Sequence, residues 1–413
     1  MRNYIVFDLE WNQSAGGKEA SNPDFPFEII EIGAVKLNEE FEIMDEFHRL
    51  IRPQVYTKMH YAISEVTHMD MEELQSHGEL FPDVAADFVA WCEEAAGRAS
   101  GTGETDAVAE VETASGATAV DETGAAGEAV ETVYCTWGTM DLMELQRNLR
   151  FYGIENPFPK PLFYYDVQKL YGLFYRDGDK PSLDAAVADL ELYEDRPFHR
   201  ALDDAWYTGK VLQELAKEPG REAFLPYQSI DYYRLPDNKK EEIRVTFPGY
   251  SKYVSRIFPS KEDAMKDRGV TEMMCYQCGR MLRKKVRWFT PNQKIYFALA
   301  ICPEHGYLKG KIRMKKVDEE QVFVVKTLKQ TDEEGAQKIR DRKEEVRKKR
   351  AQRNRMKKKK LQEEQAQSGS RQKKQGRQPG QSGEQAQKSL PGASGSNGGR
   401  GGRRRGRRKG KPR

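Results

Sequence analysis

Seven residues near the start of the chain, Tyr4-Ile-Val-Phe-Asp-Leu-Glu10, set the hardest condition on its fold, because an apolar strand ends there in two carboxylates. Successive side chains of a strand point to opposite faces, so Asp8 and Glu10 share one face while Leu9 enters a core on the other. Two like charges held that close call for a cation, and hard divalent ions such as Mg²⁺ or Mn²⁺ take oxygen ligands. Surface strands also carry Asp-x-Glu pairs, so the pair gains meaning only from residues further along the chain. Residues 27–38 (FEIIEIGAVKLN) and 42–53 (EIMDEFHRLIRP) read as a second and a third strand of an antiparallel meander. Glu31 lies inside the second strand and is read as a polar strand residue before it is read as a ligand.

Two more constellations come later in the chain. In Thr136-Trp-Gly-Thr-Met-Asp141-Leu-Met-Glu-Leu145 a strand passes through a glycine into a helix, with Asp141 near the helix start and Leu145 in the core. An acid there can simply favour the helix dipole. In Phe198-His199-Arg-Ala-Leu-Asp203-Asp204-Ala-Trp-Tyr-Thr208 an imidazole precedes a helix and a carboxylate sits in its first turns. The pair can reach one metal-bound water, and an imidazole exchanges its proton near neutral pH. A structural hydrogen bond between the two is the plainer alternative.

Taken together, two acids on the opening strand, one at a middle strand-to-helix turn and a late His-x₄-Asp resemble the DEDDh, or DnaQ-like, 3′–5′ exonuclease family. The strand Ile29–Val35 (IIEIGAV) and the approach SLDAAVADLEL (182–192) to HRALDDAWYT extend the likeness, and Cys135-Thr-Trp-Gly-x-x-Asp141 looks closest to the Eri/KapD-type branch. The resemblance implies an α/β fold over residues 1–215, a ribonuclease-H-like mixed sheet with flanking helices. It implies that Asp8, Glu10, Asp141 and Asp204 bind two Mg²⁺ or Mn²⁺ ions, that His199 is the general base, and that 5′-mononucleotides leave by two-metal-ion hydrolysis. The spacing from His199 selects Asp204 over its neighbour Asp203. Trp11 departs from the small residues many relatives carry after Asp-x-Glu; it is either a stacking platform for a base or a core or rim aromatic.

Residues 97–131, rich in Gly, Ala, Thr and Glu and poor in aromatics, read as a disordered acidic insertion between two elements of this one domain, the helix DVAADFVAWCEEA and the strand TVYCTWG. Residues 216–270 read as a connector without an assignable role. Beyond them Cys275-Tyr-Gln-Cys278-Gly and, 23 residues on, Cys302-Pro-Glu-His305-Gly present three thiolates and an imidazole at the spacing of a closed tetrahedral zinc site. The span between the two pairs reads as strand, turn and strand, so residues 271–328 are expected to be a small β-rich zinc ribbon holding one structural Zn²⁺. Cys92 and Cys135 read as core.

The formal net charge of +3 conceals an asymmetry: residues 338–413 carry 28 basic and 6 acidic residues, +22, and the remainder 40 basic and 59 acidic, −19. A basic tail on an acidic body suits phosphate backbones through counterion release, with a solubilising extension as the bland alternative. Residues 340–366 read as a charged helix and 367–413 as disordered. Arg283, Lys284, Lys285 and Arg287, with Trp288, form a basic and aromatic run that suits single-stranded nucleic acid, although its aromatics serve equally well as the ribbon's own core. The branch likeness favours RNA over DNA, DNA proofreading or repair is the runner-up, and the tail could dock the protein on a ribosome or another ribonucleoprotein. A non-catalytic nucleic-acid-binding protein is the reading from another class. Five cysteines, an odd number, with two in a CxxC, suit a reducing compartment. With no secretory signal read at the start and no stretch near the roughly 20 apolar residues that span a bilayer, a soluble cytoplasmic protein without a membrane partner is expected.

Overall fold

The computed structural model describes residues 2–94 and 131–375. The insertion expected at 97–131, apart from Glu131, and the tail from residue 376 lie outside the described residues.

The first half is built on strands β1 (Arg2–Asn12), β2 (Glu28–Leu37), β3 (Ile43–Leu50), β4 (Glu131–Thr136), β5 (Phe163–Asp166) and β6 (Ser229–Ile230), in the order β3-β2-β1-β4-β5-β6. The opening meander β1-β2-β3 is antiparallel, β4 and β5 run parallel to β1, and β6 closes the edge antiparallel to β5. This is the ribonuclease-H-like mixed sheet, and helices cover both faces. Period-two alternation sorts β1 between them: Tyr4 and Val6 pack with residues of the helices Val167–Tyr175 and Ala201–Leu215, and Ile5, Phe7 and Leu9 with those of Phe81–Glu93 and Met140–Phe151. With both faces covered, all ten residues of β2 are buried. Each fully buried Leu, Ile or Phe contributes roughly 1.5–3 kcal/mol. Asp8 and Glu10 fall on the face of Tyr4 and Val6, beneath the 201–215 helix.

That helix lies unusually close to the sheet. Gly33, paired with Asp8 across β1 and β2, has the backbone of Ala201 and Leu202 where a side chain would stand. A methyl group there would come within 1.9 Å of the Leu202 nitrogen, so glycine is the residue that lets the helix start above the carboxylate strand.

The second half forms another sheet, fully antiparallel, from β7 (Ile243–Phe247), β8 (Tyr250–Val254), β9 (Lys284–Phe289), β10 (Ile295–Cys302), β11 (Gly306–Lys316) and β12 (Val322–Thr331), in the order β7-β8-β12-β11-β10-β9. The expected connector 216–270 is therefore shared out: Phe224 is buried in the first core, β6 extends the first sheet, and β7 and β8 begin the second. The expected strand, turn and strand are β9, residues 290–294 and β10, within a six-stranded sheet rather than a separate ribbon. β10, apolar along its whole length, needs cover on both faces. Ala298 and Ala300 find it against Met273, Leu308 and Leu328, and Val286 and Leu299 against Ala336 and Ile339.

The charged helix is longer than expected, Glu333–Gln375, and so takes in residues 367–375 of the segment expected to be disordered. It starts where Asp332 accepts the Gly335 N–H at 2.8 Å, a capping bond absent from the sequence expectation. From Lys348 onward the chain is a second unit, whose described part continues the helix. No helix among the described residues is long and apolar enough to cross a membrane.

Candidate active site

Asp8 and Glu10 stand on β1 next to a bulge between Glu10 and Trp11, and the ligand atoms of Asp8, Glu10 and Asp204 all lie within 4.8 Å of one another. Three of the four carboxylates expected from the sequence are thus in one cluster. Asp141, buried in the first turn of its helix, stands apart from that group while accepting the Leu9 N–H and facing Asp8 and Asp204 electrostatically. Burial and mutual repulsion push all four carboxyls up. Burial raises Glu10 to about 9, with Asp204, Glu31 and Asp141 adding to it. Asp8 is likewise raised well above the carboxylate range, by burial first and then by Asp141, Asp204 and Glu10. Asp141 and Asp204 rise to about 7, burial again leading, against backbone N–H donors that pull the other way. Four acids that resist ionising together suit hard cations, which supply the missing positive charge.

The assignment between the two neighbouring acids rests on their partners. Asp203 turns to the Arg196 guanidinium at 3.3 Å, which also reaches Glu46, whereas Asp204 joins Asp8 and Glu10. His199 is exposed and adopts a φ of 66°, the left-handed region that histidine enters more readily than most residues. Its backbone N–H points at both Asp204 oxygens, at 3.3 and 3.2 Å, so the loop that carries the imidazole is tied to the helix that carries the acid.

What holds this loop and helix in place is Glu31. The 201–215 helix has no capping side chain of its own; the Ala201 N–H donates to Glu31 Oε2 at 3.0 Å instead. The other oxygen receives Arg200 at 3.1 and 3.2 Å and His48 Nε2 at 2.7 Å. Burial works to raise the Glu31 carboxyl, and these donors outweigh it, so the net direction is downward. Its oxygens are thus engaged by the helix start, and Glu31 positions the site from β2. Spacing could place Glu31 on the strand, but nothing local in the sequence announces a cap 170 residues away.

Trp11 leans on Phe27 at the rim of the core, with ring centroids 5.7 Å apart. Trp288 serves the second core instead of offering a platform: its indole N–H donates to the Thr271 carbonyl at 2.8 Å, and its ring lies against Gly310. Arg283, Lys285 and Arg287 are exposed and Lys284 half-buried. Their strand β9 is the edge opposite β7, five strand spacings or roughly 24 Å across. The strands that meet the first half are at the other edge, where Phe247 stacks with Tyr227. The basic residues set there, Lys169, Lys180 and Lys252, come from three separate segments and carry no signal in the sequence.

At the other cluster, Cys275, Cys278, Cys302 and His305 bring their ligand atoms within 4.8 Å of one another. Tetrahedral zinc with ordinary bond lengths separates two sulfurs by about 3.7 Å and a sulfur from a nitrogen by about 3.5 Å. Here the Cys278 and Cys302 sulfurs are 3.7 Å apart, and His305 Nδ1 is 3.6 Å from both Cys275 and Cys302 sulfurs. Each pair occupies a tight turn that ends on a left-handed glycine, Gly279 at φ 69° and Gly306 at φ 72°. Burial works to raise the Cys302 thiol, but His305 and the Glu304 and His305 N–H groups bring it down to about 6, toward the thiolate that zinc takes.

No family model matches the chain, and no curated protein matches it. Among solved structures it is similar to a full-length 3′-exonuclease, at 19% identity over 52% of this chain and 82% of that one with a TM-score of 0.38. The nuclease domain of 3′hExo, a DEDDh family member bound to rAMP, is similar at 19% identity over 55% and 96%, TM-score 0.39. Exonuclease I of E. coli in complex with a dA16 oligonucleotide is similar at 11% identity over 73% and 55%, TM-score 0.41.

Proposed function

We propose that residues 1–215 are a metal-dependent 3′–5′ exonuclease of the DEDDh type. The observation that carries this reading is the convergence of Asp8, Glu10 and Asp204 within 4.8 Å, with Asp141 outside that group but acting on Asp8 electrostatically, and His199 on the tied loop. Asp8, Glu10, Asp141 and Asp204 would hold two Mg²⁺ or Mn²⁺ ions, and the rise in all four carboxyls fits that donor set. When bound, such ions supply a more acidic attacking water and stabilise the leaving 3′-oxygen. His199, exposed to solvent, takes the water's proton, and Glu31 with Arg200 keeps its loop in register. Cys275, Cys278, Cys302 and His305 would hold one structural Zn²⁺, closed to catalysis because all four positions are protein.

The substrate we favour is single-stranded RNA in the cytoplasm, on the likeness of the middle motif to the Eri/KapD-type branch, with single-stranded DNA second. The basic tail would add affinity for nucleic acid or dock a ribonucleoprotein. Digestion of 3′- and 5′-labelled RNA and DNA oligonucleotides with Mg²⁺ or Mn²⁺ tests the proposal. Progressive 3′ shortening that is lost in Asp8→Ala and His199→Ala supports it; binding without digestion by the wild type with either metal refutes it and leaves a binding module.

A further inference from the structure

Where the two sheets meet, a cavity of about 270 Å³ opens between the carboxyl edge of the first and strands β8 and β12 of the second. Thr139, the residue before the helix of Asp141, lines it, and so does Tyr164, which feels the Asp141 charge, while the site carboxylates and His199 are not part of its wall. Its cations are Lys169, Lys180 and Lys252, and its carboxylates Asp166 and Asp231. Asp166 binds Lys180 at 3.0 Å, and Asp231 is taken by the Gln146 amide at 2.9 Å. Lys169 reaches the Ser229 hydroxyl at 3.1 Å, and Lys252 and Lys315 both lie over the Tyr232 ring.

From this cavity a row of directly opposed residues crosses four strands of the second sheet: Lys252 on β8, Thr327 on β12, Lys311 on β11 and Phe297 on β10. Opposed residues in an antiparallel sheet share a face. Along β11 the same face continues with Lys309, Arg313 and Lys315. The row ends in a groove of about 730 Å³ between the sheet and the 333–347 part of the charged helix, where Arg342 lies over Phe297 and Asp341 and Glu345 are the acids. Thr327 lines both the cavity and the groove, so the two adjoin at this residue.

We propose that this row is the track along which a nucleic-acid single strand lies while its 3′ end enters the carboxylate site. Cations spaced along a groove neutralise successive phosphates without regard to sequence. Burial leads in lowering Lys169 to about 7, against Asp166, which raises it, and with Lys252 and Lys180 adding to burial; Lys252 and Lys311 are also lowered chiefly by burial, with neighbouring cations second. The inference rests on the exonuclease reading for its direction, 3′ end at the carboxylates, and on its own geometry for its course.

The test uses the full chain carrying Asp8→Asn, so that oligonucleotides are bound and not consumed, with and without Lys252→Gln and Lys311→Gln. Fluorescence anisotropy across a salt series should show the slope of log affinity against log salt falling by about 0.7 per lysine, about 1.4 for the pair. Equal affinity and equal slope overturn the track. Because half-buried lysines also support folding, a second measurement leaves the chain otherwise intact: thio-substituted uridine placed a few nucleotides from the 3′ end is photo-crosslinked and the attached peptides are identified. Attachment within β8, β10, β11 or β12 supports the track, and attachment confined to residues 348–413 overturns it. Wild-type digestion run in parallel separates the two readings. Crosslinks on the track without digestion keep the track and remove the exonuclease, and digestion with crosslinks elsewhere does the reverse.

Discussion

Replacing Gly33 with alanine should cost the proposed activity without touching a single ligand. The new methyl would stand 1.9 Å from the Leu202 nitrogen, 2.1 Å from the Ala201 carbonyl carbon and 2.3 Å from the Leu202 Cα, all backbone atoms that no rotamer change can clear. Restoring ordinary contact at 3.4 Å requires the helix start to retreat by about 1.5 Å. Asp204 is two residues further along that helix and His199 two residues before its first turn, so both groups move with it, away from Asp8 and Glu10. A displacement near 1 Å in a reacting site costs on the order of 100-fold in rate. Overpacking also destabilises by roughly 1–3 kcal/mol, a fall of several degrees in Tm for a domain of this size. Gly209→Ala on the same helix is the internal control, because there the nearest atom is a Val35 methyl at 3.1 Å that can give way. The assay is initial rate of 3′ digestion at saturating Mn²⁺, read beside thermal unfolding. A Gly33→Ala protein with wild-type rate and Tm would show that the helix does not bear on the strand as described, and the account of how Asp204 is positioned would fall.

Asp204→Asn should lower the digestion rate by about 100-fold or more, whereas Asp203→Asn, which gives up a partly buried pair with Arg196 away from the cluster, should stay within about threefold; the reverse order in a rate comparison would reassign the fourth acid. Glu31→Gln should destabilise by about 2 kcal/mol at pH 7, below the usual cost of a broken buried pair because Arg200 and His48 remain 33% and 38% exposed. Since the folded-state Glu31 carboxyl is held low, its contribution is present above the unfolded value near 4.5 and is lost as pH falls through the folded value, so the Tm gap between the two proteins should close below that point and stay open from pH 5 to 7. Purified protein should retain one zinc per chain by atomic absorption, and Cys278→Ser should lose it together with several degrees of Tm; a fully stable chain free of zinc would defeat the proposed zinc site.

Legibility in the sequence tracked the distance over which each contact is made. Asp8, Glu10 and Leu9 could be sorted between two faces because strand alternation is local, and the structure puts Leu9 in one core and the acids on the other face. The two cysteine turns were legible for the same reason, since four residues and a glycine define each. Glu31 was placed on its strand but its work was not visible, because its partners Arg200 and Ala201 arrive from far along the chain. Lys169, Lys180 and Lys252 gave no signal at all: each is an unremarkable lysine in its own segment, and only the meeting of two sheets gathers them.

The second sheet could have been anticipated further than it was. Ile243-Arg-Val-Thr-Phe247 and Tyr250-Ser-Lys-Tyr-Val254 flank Pro248-Gly249, and two β-rich runs around a Pro-Gly turn are a hairpin signal; Gly249 indeed takes a φ of 76°. What obscured the strands beyond it was inward-pointing charge. Lys326 in β12 is 1% exposed, yet its amine is satisfied by the carbonyls of Gly269 and Glu272, at 2.7 and 2.9 Å, where the short helix Arg268–Thr271 ends. Lys36 in β2 repeats the arrangement on the first sheet, reaching the Trp91 and Glu94 carbonyls where the helix Phe81–Glu93 ends. The last carbonyls of a helix have no partner within it, and an amine on a covering strand can supply one. A period-two count scores such a lysine as an outward residue and breaks the strand pattern, although the lysine is what fastens the helix to the sheet. Charge at an inward register is therefore a sign of a helix end packed opposite, and a strand reading that tolerates one such lysine, as the reading of residues 27–38 does with Lys36, recovers β12 as well.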